Sequence, residues 1–180
     1  MSSIDASVPA DSLSQTAPES VAFFPVSLAK LSVMSLCTFG LYEIYWAYKN
    51  WQLIKAREPT KLSPPLRSLF GVIFCYSLFR RVEEKAESLY ISFPPAGLLA
   101  AGWIIVTLLY RLPDPYWLVS LFAFAFLLPV QNAANEINAR ICPKHDSNSR
   151  FSALNIVGIV FGSLFIALVI YGLFFIRPAV

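Results

Sequence analysis

Charge is what this sequence is short of. Of its 180 residues only 14% are Asp, Glu, Lys or Arg, against roughly 25% in a soluble domain. So little charge leaves too little polar surface for a soluble catalytic domain or a disordered regulator. Histidine occurs once, at His145 and outside every apolar run, so a Ser–His intramembrane protease has no base to use. Cysteine is scarce and scattered, at Cys37, Cys75 and Cys142, which argues against a disulfide framework. Cys142 and His145 together supply too few ligands for zinc. The H-E-x-x-H, Walker and dinucleotide-binding glycine motifs are missing, and Glu43 is the lone acid inside an apolar stretch. The expectation is therefore no enzyme, no metal and no cofactor. A net charge of +3 without a basic patch also argues against nucleic acid. No Lys or Arg precedes Lys30, so no secretory signal is expected and attachment to a bilayer falls to the apolar runs themselves.

Those runs are what the chain has in excess, at 57% hydrophobic residues. Residues 1–22 read as a disordered tail, with Asp5, Asp11 and Glu19 making it acidic, and 23–180 as one helical membrane domain. Leu154–Ile176 offers 23 uncharged residues, about 34 Å of helix against a ~30 Å hydrocarbon layer, and reads as a span. Ala96–Leu112 and Tyr116–Val130 are shorter and are separated by Pro113-Asp114-Pro115, which reads as the turn of a spanning hairpin. Ser68–Phe79 would reach only about 18 Å and is expected to lie in the interface or to re-enter. Val26–Tyr48 is long enough to span, with Lys30 and Glu43 snorkelling from near its ends. Alternatively it turns back at Thr38-Phe39-Gly40 as a hairpin of 26–37 and 41–57. Spanning is favoured, and both arrangements stand at this point. The fold class is thus all-α and polytopic, with three to four transmembrane helices plus one short interfacial or re-entrant helix.

Basic residues give this arrangement a direction. The segments 49–67, 80–95 and 131–153 hold 11 of the 14 Lys and Arg residues, which places all three in the cytoplasm. The segment 49–67 alone carries Lys49, Lys55, Arg57, Lys61 and Arg67 against Glu58, so contact with the lipid bilayer is expected there.

The most distinctive residues follow the first apolar run. Tyr42, Tyr45, Trp46 and Lys49 share one helix face at i, i+3, i+4 and i+7. Aromatic anchoring at the headgroup level is the plain reading. The sharper one makes Glu43, Lys30, Tyr42, Tyr45 and Trp46 candidates for ligand or lipid contact, because an ionisable group at membrane depth points to function. Glycines Gly158 and Gly162, four apart, make a flat helix-packing face, either for this protein's own helices or for a homo-oligomer. Gln131, Asn132, Asn135, Glu136 and Asn138 continue the preceding helix and read as its solvated face, with hydrogen bonding to neighbouring helices as the alternative. Ser149 or Ser152 is a plausible cap for the last helix.

The run T-F-G-x-Y-x-x-Y-W-x-Y-K-N-W at 38–51 and S-P-P-x-R-x-L-F at 63–70 resemble a bacterial family of small multi-pass inner-membrane proteins classed as a domain of unknown function. Gln131–Asn135 and Asn148–Phe151 are similar to further parts of its pattern. The resemblance implies a polytopic protein of the bacterial inner membrane and implies no activity. The expectation that results is a non-enzymatic accessory or interaction protein; the alternative is a small oligomeric transporter or channel with Lys30, Glu43 and the Asn cluster near its path.

Overall fold

A computed structural model describes residues 20–58 and 63–176, and all their regular structure is helical. The expected tail 1–22 lies almost wholly outside the described residues. Its end is corrected, because Ala22 is completely buried and belongs to the fold.

Helix α1 (Leu28–Cys37) is capped by the Ser27 hydroxyl, which accepts from the Lys30 N–H. It stops at Thr38 because Phe39 and Gly40 both have left-handed backbone, at φ 52° and 81°, which no right-handed helix can continue. Thr38 joins the two sides of the break: its hydroxyl donates to the Met34 carbonyl and accepts from the Tyr42 N–H. Helix α2 (Leu41–Arg57) then sets out in a new direction. A single helix through 26–48 is thereby replaced by the turn at Gly40.

Helix α3 (Pro64–Leu69) opens on a proline suited to a first helical turn and ends at Phe70. Helix α4 runs Gly71–Ser88, which corrects the expected short helix at 68–79. The charges from Arg80 onward do not end it. Its buried stripe of Cys75, Leu78, Phe79, Val82 and Ala86 keeps helical spacing straight through them. On the outer face Arg80 pairs with Glu83 and Glu84, one turn ahead.

Helix α5 (Ala96–Leu108) tightens into a 3-10 turn at Leu109–Arg111. After the Pro113–Pro115 turn, Tyr116–Phe126 is wound as a 3-10 helix, far longer than the three or four residues such helices commonly reach. Its exposure has the matching period of three: Tyr116, Val119, Phe122 and Ala125 face out, while Ala123 is buried. The Phe126 ring fills the space beside Gly102 on α5, where a Cβ would overlap it. The strand of helix continues as α6 (Leu127–Ile141).

Helix α7 (Ala153–Tyr171), extended to Ile176 by a wider π turn, starts on a capping box between Ser152 and Asn155. It packs on α1. A Cβ at Gly162 would overlap the Cys37 carbonyl, and Phe39 meets Phe165 edge-on at 5.2 Å.

The core lies between α2, α4 and α6, around Trp46, Trp51, Leu78, Phe79, Val82, Leu127, Val130 and Ile137. Two helices, Tyr116–Ile141 and Ala153–Ile176, are long and apolar enough to cross a membrane. Leu28–Cys37 and Ala96–Arg111 are shorter apolar helices.

Candidate functional site

Two constellations of polar groups stand out, one that grips the N-terminal segment and one beside a cavity.

Residues 22–26 form no helix, so their backbone needs outside partners. Amide side chains supply them. Asn138 accepts from the N–H groups of Ala22 and Phe23 and donates to the Phe23 carbonyl, at 2.8, 3.1 and 2.8 Å. Asn50 accepts from the Phe24 N–H, while Gln131, Asn148 and Asn135 donate to the carbonyls of Phe24, Pro25 and Val26. Arg57 closes the row on the Ala22 carbonyl and lies over the Phe23 ring. Burial pulls its guanidinium below the ordinary value, with Glu58 opposing.

Gln131 and Asn138 are fully buried, which overturns their reading as a solvated face. Their spacing put them on one side of α6; what covers that side comes from the far end of the chain. Trp46 ties α2 into the same network, its indole N–H donating to Gln131 at 2.5 Å. Asn50 and Asn148 stood in advance only within the 38–51 and 148–151 motifs, with no role attached to either.

The cavity, of about 330 Å³, lies between α2, the α3–α4 junction and the hairpin of α5 with the 3-10 helix. Trp46, Trp51, Phe79 and Trp103 give it an aromatic wall. Glu43 stands at one side, 9% exposed, and its carboxylate accepts from the Trp103 indole N–H at 2.7 Å. The Thr107 hydroxyl on the lining is buried and has no hydrogen-bond partner among the described residues. Arg67 supplies a cation, stacked on Trp51 at 4.7 Å and on Phe74 at 5.0 Å. Among the described residues it makes no ion pair. Arg81 approaches Trp51 from further off, at 5.8 Å, but is paired with Glu58.

The candidates named from sequence are dispersed by this geometry. Glu43 and Trp46 line the cavity, and Tyr42 is buried. Tyr45 is exposed, between Phe24 and Lys49. Lys30 is buried elsewhere, where its ammonium donates to Asn148 Oδ1 and the Arg150 carbonyl and ties down the α6–α7 connector. Lys30 and Glu43 form no ion pair with each other. Gly162 lies against α1, and Gly158 faces Met34 at van der Waals distance, so the surface offered above for a homo-oligomer is covered within the chain along Gly162. Arg67 and Trp103 join Glu43 and Thr107 in giving the cavity its polar groups. Arg67 was visible only as a member of the basic segment 49–67 and of the 63–70 motif, and Trp103 was hidden in an apolar run.

Compared with protein-family models, with curated proteins and with solved structures, the chain matches none.

Proposed function

We infer that the protein is a polytopic integral membrane protein that acts without chemistry of its own, as an accessory or interaction protein of the bacterial inner membrane. One observation carries the reading. From Leu154 to Ile176 large apolar side chains point outward over most of α7, which leans on α1 along one face, and only Gly162 is buried. A helix with satisfied backbone and so broad an apolar surface is matched to lipid.

The hairpin fits beside it. Ala96–Arg111, part α and part 3-10, reaches about 26 Å, and Tyr116–Val130 about 28 Å because the 3-10 winding stretches it. Both approach a ~30 Å hydrocarbon layer that α-helices of the same residue counts would fall short of. Helices α1 and α2 then form a re-entrant pair. Lys30 is tied beside the start of α7, whereas Cys37 meets Gly162, about 14 Å further along it. The turn at Gly40 thus dips beside α7 and α2 returns, which leaves the basic segments 49–67, 80–95 and 131–153 together on the cytoplasmic side. The polar groups that a transport path would use, on Lys30, Glu43 and the Asn cluster, are engaged within the chain.

The test is membrane fractionation followed by thiol labelling. The protein is expected to stay with the membrane after alkaline carbonate washing. Cys142 should react with an impermeant maleimide only in opened cells, and Leu112→Cys should react in intact ones. Release by carbonate, or labelling of Cys142 in intact cells, overturns the reading.

A further inference from the structure

We propose that the cavity beside α2 holds an anionic amphiphile, its oxyanion headgroup on Arg67 and its alkyl chain against the aromatic wall. The proposal rests on the membrane reading above and adds a ligand to it.

Three observations carry it. First, the cavity is of ligand size, about 330 Å³, and its lining is aromatic and aliphatic apart from a few polar groups. Second, those groups are unevenly spent. Glu43 already accepts from Trp103, while Arg67 has no carboxylate among the described residues. Its guanidinium lies over the rings of both Trp51 and Phe74, which leaves its fork of N–H donors for a planar or tetrahedral oxyanion. Third, the surroundings are lipid-like. Leu69, Phe70, Val72, Ile73 and Tyr76 are exposed apolar residues on α3 and α4 next to the cavity. Their helix turns charged from Arg80 onward, so it passes from an apolar to an aqueous medium along its own length. Gly71 faces Trp103 and Gly97 faces Tyr76, so α4 runs antiparallel to α5. A bilayer phospholipid and a free fatty acid share the required chemistry.

Three of the four tryptophans, Trp46, Trp51 and Trp103, line the cavity, so their fluorescence reports on what enters it. The experiment uses the Trp117→Phe chain in phosphatidylcholine vesicles. Brominated phosphatidylglycerol, brominated phosphatidylcholine or brominated stearate is added at equal mole fraction. The expected result is about a fivefold preference for a brominated anionic species, the size one basic residue gives at a membrane surface. Arg67→Gln should abolish it and Arg80→Gln should leave it. Quenching confined to phosphatidylglycerol identifies the phospholipid as the source, and quenching confined to stearate the free acid. Equal quenching by all three, or a preference that survives Arg67→Gln or falls equally with Arg80→Gln, overturns the proposal. If Arg67→Gln does not fold by circular dichroism, Arg67→Lys keeps the charge and loses the planar fork of N–H donors, and a reduced preference is then expected; an unchanged one overturns the proposal. Failure of the chain to co-float with vesicles would instead strike the membrane reading itself.

Discussion

The segment Ala22–Val26 and helix α7 solve opposite problems. In the first, the backbone has no helix to satisfy it, and five amide side chains and an arginine do so one group at a time. In the second, the backbone satisfies itself and most side chains point away from the protein, only Gly162 being buried. The contrast teaches where specificity resides. A buried unpaired amide costs about 1–3 kcal/mol, so the N-terminal segment has one seat. In the membrane reading a leucine facing lipid meets much the same medium in any orientation, so α7 is located by its contacts with α1, closest where Gly162 meets Cys37.

The most damaging change should be Asn138→Leu, which keeps the volume and strands three buried backbone groups. We expect a loss of roughly 4 kcal/mol in detergent-solubilised protein, read as a lowered unfolding midpoint. Next comes Gly162→Leu, where overpacking against a backbone carbonyl should cost about 3 kcal/mol and expose Cys37 to maleimide. Trp46→Phe removes the bond to Gln131 and part of the buried indole's packing, and should cost about 1.5 kcal/mol. Smallest is Leu164→Ala on the outer face of α7, expected within about 0.5 kcal/mol of the native chain. Equal losses for Asn138→Leu and Leu164→Ala in the same unfolding experiment would dissolve the comparison.

How much of this was legible in the sequence depended on the range of the physics involved. The hairpin and the last helix were readable because length, lack of charge and a Pro-Asp-Pro turn are local properties. The break at Gly40 was readable as an alternative, but Phe39 shares the left-handed turn and nothing in phenylalanine announces that. At α4 the charges Arg80 and Arg81 hid an apolar stripe that continues beneath them. The Asn cluster misled most, since polar residues on a helix are usually wet. Its partner is a five-residue stretch more than a hundred positions upstream, and no periodicity records such a meeting. Half of the cavity was foreshadowed, through Glu43 and Trp46. Arg67 and Trp103 came from elements that no spacing rule links to them.

The amide grip also imposes an order of events on the newborn chain. Ala22 is synthesised early, but the side chain that receives it, Asn138, follows 116 residues later. At 5–20 residues per second that is a wait of about 6–20 seconds. Throughout it, Ala22–Val26 has neither its amide partners nor a helix of its own, with three apolar side chains, Phe23, Phe24 and Val26, unhoused. The first described piece to leave the ribosome is therefore among the last to be seated, since its partners run from Asn50 to Asn148, past the end of α6.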